Sequence, residues 1–266
     1  MVGLPLWVIG AVGFILVFGH NMLDPQFFPA DGLTKTFFGN LMLKARGPGS
    51  LLFLNAAKDR SIIAAYALLP WAGVMMIGYV VGSMYAKTYD AIKRRKTLLY
   101  SGLGALVLFF VFRYFNIYGD PSPWAVQGTT AKSIISFFNV TKSPPSLIYL
   151  YMTLGVSLII LSLTESIKNK FTAILYTYGS VPFFYFIVHL YVIRLGTIVF
   201  FFATGHTTAQ IINPKMGPLL FQPDDMGVSL GVVYLLWLAL VVALYFPCRW
   251  YSRYKQTHRS WWLSYL

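Results

Sequence analysis

Cysteine is nearly absent. Cys248 is the only one in the chain, so no intrachain disulfide can form and no cysteine-based metal site is written here. Charge is scarce as well: 11% of the residues are charged against 57% hydrophobic, and the mean hydropathy is +0.64. A soluble domain carries about a quarter charged residues, so the composition argues against a water-soluble fold. Acidic residues number 8 against 21 Lys and Arg, for a net charge of +13. That excess would suit nucleic acid if the cations shared one face of a soluble domain. Instead nearly all of them lie between apolar blocks or in the C-terminal tail, which is how topogenic charge is distributed; no nucleic-acid partner is expected. No Lys or Arg precedes Lys35, and the first apolar block ends in Gly19-His20-Asn21 rather than in a small-residue cleavage pattern, so a cleaved signal peptide is not expected. Internal repeats, low-complexity tracts, a phosphate-binding glycine loop, a Ser-His-Asp order and metal-ligand spacing are missing too.

What the chain does contain is apolar blocks near the ~20 residues that a helix needs to cross a bilayer. They predict an all-α, polytopic transmembrane helical bundle, a single domain over 1–266, with spans at about 2–19, 62–85, 97–112, 145–164, 181–203 and 228–246. Pro70 should kink the second span or mark its true start, because proline removes a backbone donor and clashes one turn back. Gly73, Gly78 and Gly82 offer small surfaces for close helix packing, and Pro182 suits the first turn of the fifth span. The connections 86–96 and 165–171 and the tail 247–266 hold 11 Lys and Arg in 38 positions, against 9 in 97 for the segments 21–61, 113–144 and 204–227. By the positive-inside rule both termini are cytoplasmic and the three long connections lie outside. A bacterial inner membrane is the expected location, since helical spans are at home there. Trp7, Trp71, Trp124, Trp250, Trp261 and Trp262 fall near predicted ends, where they can anchor at the interface.

Ionisable groups within the spans are costly and usually face a partner or a wet cavity. His189 lies near the middle of the fifth span and Arg194 five residues on, roughly 140° apart around a helix. Either His189 takes a direct role in chemistry or it is a neutral histidine hydrogen-bonded across the bundle. Arg194 either binds substrate or reaches outward to the interface. A second constellation joins the ends of two spans. Gly19-His20-Asn21-Met22-Leu23-Asp24 closes the first, and Arg113 to Trp124, with Asn116 and Asp120, closes the third. Both lie on one side in the topology above and could meet. A histidine beside carboxylates is what a general base needs, and Asn and Trp suit a sugar. The same strings are also ordinary turn and cap chemistry. Lys93-Arg94-Arg95-Lys96 could neutralise donor phosphates, or serve as a topology signal and anionic-lipid contact. Asp224-Asp225 reads as a solvated pair at a loop tip.

Several strings resemble one family: 69–79 (LPWAGVMMIGY), Asn116 to Trp124, Ser143-Pro144-Pro145-Ser146-Leu147 with Met152-Thr153-Leu154-Gly155, Cys248-Arg249-Trp250, and the closing Trp261 to Leu266. The family is the bacterial membrane proteins related to the catalytic domain of heparan-alpha-glucosaminide N-acetyltransferase. The resemblance runs over essentially the whole chain and places it in the C-terminal part of a larger family domain, without the N-terminal portion that carries an Arg-Gly motif and an early His. It implies a transmembrane acyltransferase taking acetyl from acyl-CoA, a donor substrate and no bound cofactor, to a sugar amine or hydroxyl on the other face. On that reading His189, His20 and Asp120 are the catalytic candidates. Asp24, Arg113, Asn116, Trp124 and Arg194 are the substrate-binding ones, and no metal is expected. The bilayer, acyl-CoA, a glycan and a second copy of the chain are the expected partners. A transporter or flippase of a sugar or lipid-linked substrate, and a non-catalytic membrane partner, fit the same intramembrane polar groups.

Overall fold

In a computed structural model, residues 3–23, 51–53, 61–63, 66–213, 220–258 and 260–264 are described. Among them helices dominate: α1 (Leu6–Gly19), α2 (Leu68–Ser83), α3 (Ala91–Phe115), α4 (Thr130–Phe138), α5 (Leu147–Thr164), α6 (Lys170–Ser180), α7 (Pro182–Ala203) and α8 (Leu230–Thr257). One short antiparallel ribbon joins β1 (Leu51–Phe53) to β2 (Ser61–Ile63), with Leu51 opposite Ile63. Among the described residues five helical segments are long and apolar enough to cross a membrane: Leu6–Leu23, α3, α5, α7 and α8. The protein is a helical membrane protein.

The predicted second span is corrected. Ile62 and Ile63, β-branched residues at home in a strand, belong to β2, and α2 has only 16 residues. It rises about 24 Å at 1.5 Å per residue, short of a hydrocarbon core of about 30 Å. Pro70 marks its start, sitting buried in the first turn, where its missing N–H costs no helical bond. Two other spans prove longer than their apolar stretches. α3 begins at 91 rather than 97, because the Asp90 carboxylate caps it by accepting the Ile92 N–H at 2.8 Å, and the basic run is helical. α8 continues through Pro247 to Thr257.

The chain divides into two compact units, Met1–Ser166 and Ile167–Leu266. In the first, α1 packs on α2 and α3 on α5, and both pairs cross at facing glycines. A Cβ on Gly13 would lie 3.1 Å from the Gly73 carbonyl oxygen; one on Gly102 would lie 2.8 Å from that of Gly155 and 2.7 Å from Ile159. Backbones approach this closely only where side chains are missing. Of the three glycines expected to pack, Gly73 does; among the described residues Gly78 and Gly82 meet nothing. Gly102→Ala is therefore expected to lower the stability of the detergent-solubilised protein by about 1–3 kcal/mol, through overpacking against fixed backbone. Gly78→Ala should be neutral or stabilising by up to about 1 kcal/mol through helix propensity. Equal melting temperatures for the two variants would refute the crossing. Val17, Phe109, Leu147, Ile148, Leu150 and Tyr151 form the core of this unit, and α4 lays Phe137 and Phe138 on Phe109 with ring centroids 5.9 Å apart.

In the second unit, α6, α7 and α8 surround Val181, Cys248, Tyr251 and Leu263. Phe184 stacks on Tyr251 at 4.3 Å. The Ser180 and Ser252 hydroxyls meet at 2.8 Å, and the Tyr178 hydroxyl donates to the Val241 carbonyl.

Candidate functional site

A buried polar knot surrounds the N-terminus of α5. The first N–H groups of a helix have no partner inside it, and here the protein supplies each one. The Leu147 N–H donates to Asn21 Oδ1 at 2.9 Å, that of Ile148 to the Gly119 carbonyl at 3.1 Å, and that of Tyr149 to Ser146 Oγ at 3.0 Å. His20 and Asn21, in the 3-10 turn that ends the first span, are both buried. His20 places Nδ1 2.8 Å from the Val17 carbonyl oxygen and Nε2 2.9 Å from that of Pro145. Each ring nitrogen thus faces a main-chain oxygen, and the neutral ring donates to one of the two.

Asp120 binds the same knot from the other side. Its Oδ1 accepts from the Ser122 N–H at 2.9 Å and the Thr141 hydroxyl at 2.7 Å; its Oδ2 accepts from the Thr141 N–H at 2.9 Å and the Ser146 hydroxyl at 3.0 Å. Arg113 Nη1 lies 3.9 Å from Oδ2, and both side chains are 1% exposed. The Arg113 guanidinium donates to four carbonyl oxygens, those of Phe137 (2.8 Å), Ser122 (2.8 Å), Ser136 (3.0 Å) and Asn139 (2.9 Å). Its charge and donors are consumed in tying α3 to α4 and to the loop between them.

Asn116 ends α3 in the left-handed conformation, φ +50°, which asparagine tolerates better than most residues. Its side chain pairs with the Trp124 backbone in both directions, at 3.0 and 3.1 Å. Trp124 is half-buried, its indole edge-on to Phe137 at 5.3 Å. The structure therefore brings His20 and Asp120 to one helix end, through shared partners at 145–147, with Arg113, Asn116 and Trp124 beside them. Asp24 lies outside the described residues.

At the opposite end of this unit, Arg94 donates to Glu165 through both Nε and Nη2, and to the Met84 carbonyl at 2.9 Å, and lies over the Tyr85 ring at 4.7 Å. Arg95 Nε donates to the Ser162 carbonyl at 3.2 Å. The run 93–96 is thus half structural; Lys93 and Lys96 are exposed.

His189 differs from His20. It sits mid-way along α7, half-buried, and its Nδ1–H donates to the Tyr185 carbonyl at 3.1 Å while the ring lies parallel to Tyr185 at 5.4 Å. That bond selects the tautomer in which Nε2 carries the lone pair, and among the described residues no group hydrogen-bonds Nε2. Arg194 donates to the Leu220 carbonyl at 2.7 Å and lies over the Phe221 ring at 5.1 Å.

Sequence reasoning missed one pair. His206 donates from Nε2 to Asp225 Oδ1 at 3.2 Å, with Nδ1 2.8 Å from the Thr204 hydroxyl. The hydrogen bond from His206, then one from its own backbone, holds the Asp225 carboxyl below the usual carboxylate range, although this side chain is 75% exposed. Asp224 accepts from Asn213 Nδ2 at 2.9 Å. The two aspartates therefore tie their loop together rather than simply facing water. Among the described residues no cluster of three or more His, Cys, Asp or Glu could hold a metal ion. No family model, curated protein or solved structure matches the chain.

Proposed function

We propose that the protein is a membrane acyltransferase that moves an acetyl group from acetyl-CoA to a sugar amine or hydroxyl, with His189 as its base. The observation that carries this reading is the state of the four histidines. His20 has both nitrogens on carbonyl oxygens and His206 is paired with Asp225. His189 and His258 each turn Nδ1 to a carbonyl of their own helix, but His258 stands at the exposed end of α8, whereas His189 lies mid-way along a span with Nε2 left for another molecule. A base in this setting takes the proton of the attacking amine or hydroxyl as the acceptor bonds to the acetyl carbonyl carbon. The C–S bond breaks, and the proton passes from Nε2 to the departing thiolate.

The resemblance carried by 69–79, 116–124 and 143–155 supplies the reaction class. Arg194, five residues beyond His189, spends one donor on Leu220 and keeps others for an anionic donor or an oxyanion. The buried knot of His20, Asn21, Arg113 and Asp120 serves this reading as scaffold. Lys and Arg density in 86–96, 165–171 and 247–266 supports a cytoplasmic side for these segments, the side from which acyl-CoA would be drawn.

The test is the full-length protein in liposomes with acetyl-labelled acetyl-CoA and an amino-sugar oligosaccharide. Label in the oligosaccharide, with release of an equal amount of free CoA thiol, is the expected result. Oligosaccharide crossing the bilayer unlabelled and without thiol release would replace this reading with transport. Neither label nor flux would overturn it.

A further inference from the structure

The last three turns of α8 carry an exposed stripe of another character from the rest of the helix. Phe246, Arg249, Trp250, Arg253, Tyr254 and Thr257 line a shallow groove of about 380 Å³ along one helix face. Their spacing, i, i+3, i+4, i+7, i+8 and i+11, is that of neighbours on a helix surface. Phe246 is 68% and Trp250 64% exposed, and Arg249 and Arg253 are exposed. The opposite face is taken up within the second unit: Leu244, Cys248, Tyr251 and Ser252 are buried, and Lys255 Nζ donates to the Ser180 carbonyl at 3.4 Å. The stripe is what this packing leaves uncovered.

Its charge is uncompensated. No Asp or Glu follows Asp225 in the chain, and among the described residues neither Arg249 nor Arg253 forms an ion pair. Arg249 lies 6.0 Å from the Tyr245 ring centroid, and Trp250 stacks on Tyr254 at 6.0 Å, so aromatic faces flank the cations.

The depth of the stripe follows from the helix itself. Leu230 to Cys248 contains no charged residue and rises about 28 Å, close to the thickness of the hydrocarbon core. Arg249 is thus the first residue to emerge at the headgroup level. Phe246, one turn back, remains among acyl chains, and Trp250 sits where indole rings favour the interface.

From this placement we infer that the stripe is a binding site for an anionic phospholipid. Arg249 and Arg253 hold the headgroup phosphate between them, and Trp250 and Phe246 lie against the glycerol and the first acyl carbons. Arginine suits this task because its planar fork donates to phosphate oxygens in pairs. The site is independent of the acyl-transfer reading.

The experiment uses the full-length protein in neutral detergent with acyl-labelled phosphatidylglycerol, and phosphatidylcholine bearing the same label. Each basic residue near a lipid surface contributes about fivefold in affinity to an anionic lipid. Arg249→Gln/Arg253→Gln is therefore expected to weaken phosphatidylglycerol binding about 30-fold and to leave phosphatidylcholine binding unchanged. Arg249→Lys/Arg253→Lys, which keeps the charge, should recover most of the loss, and circular dichroism of both variants should match the native protein. Equal binding of the two lipids by the native protein would overturn the proposal, and so would undiminished phosphatidylglycerol binding by the Gln variant. Displacement of the lipid by millimolar glycerol 1-phosphate would reassign the site to a soluble phosphate compound, and would overturn it as well.

Discussion

Alanine in place of His189 is expected to lower the rate of acetyl transfer by about 10²- to 10⁴-fold, the usual contribution of a positioned general base, with no change in the melting temperature. Both halves of that expectation come from the geometry. The ring makes one hydrogen bond to its own helix, Nδ1 to the Tyr185 carbonyl at 3.1 Å, and lies half-buried beside Tyr185 and Phe186. Removing it leaves that carbonyl to the intrahelical bond it already accepts, so stability changes little. What is lost is the Nε2 lone pair. His189→Gln keeps a polar side chain of similar reach but has no group that can accept and return a proton, so it should be as inactive as the alanine variant. His20→Gln should behave in the opposite way, with lower stability and nearly native turnover per folded molecule, because the His20 ring sits between the end of α1, at the Val17 carbonyl, and the Pro145 carbonyl that precedes α5. Native turnover by folded His189→Gln would remove this residue from the mechanism.

The parts of the fold that were legible in the sequence are those governed by local rules. Apolar blocks of the right length mark α1, α3, α5, α7 and α8, and Pro70 and Pro182 mark two helix starts, because solvation by lipid and the missing proline N–H are properties of a residue and its near neighbours. Hydropathy could not place the ends of α3 and α8. Lys93 to Lys96 and Arg249 to Thr257 are polar yet helical, and a transfer scale detects only the apolar part of a helix. It also could not separate Gly73 and Gly102, which touch another backbone, from Gly78 and Gly104, which touch nothing among the described residues, since the difference lies in the partner helix.

The candidate site was legible only as a list of residue types. That the segments ending α1 and α3 reach one place could be reasoned from topology. Their meeting point could not, because Pro145 and Leu147 lie more than 100 residues from His20 and act through main-chain groups, a carbonyl and an N–H that carry no side-chain signature. For the same reason nothing in the sequence shows that Arg113 is saturated. The pairing of His206 with Asp225, 19 positions apart across a loop, left no pattern to find.

Arg113→Met is expected to cost about 3–5 kcal/mol, the range for removing one partner of a buried, hydrogen-bonded charge pair, and so to yield little folded protein. Methionine keeps most of the stem volume, so the loss isolates the guanidinium head. Four carbonyl oxygens, of Ser122, Ser136, Phe137 and Asn139, lose their donor at once, and each buried polar group left unsatisfied costs about 1–3 kcal/mol unless water reaches it. Asp120 meanwhile keeps a buried negative charge with its four donors but no cation. Arg113→Lys retains the charge but has three donors on a single nitrogen, too few and too close together to reach four carbonyls around a planar fork; it should lie between Met and the native protein. Asp120→Asn probes the other partner. Whichever oxygen it replaces, its amide nitrogen faces one backbone N–H, so that bond fails, while the hydroxyl beside it must turn to accept. Combined with Arg113→Met, it should cost less than the sum of the two changes, since the uncompensated carboxylate is gone. Thermal melting in detergent reads all four variants. A shift of 1 kcal/mol corresponds to about 2–4 °C in a chain of this size class, so an Arg113→Met protein melting within that margin of the native one would show that the knot is not what holds α3, α4 and α5 together.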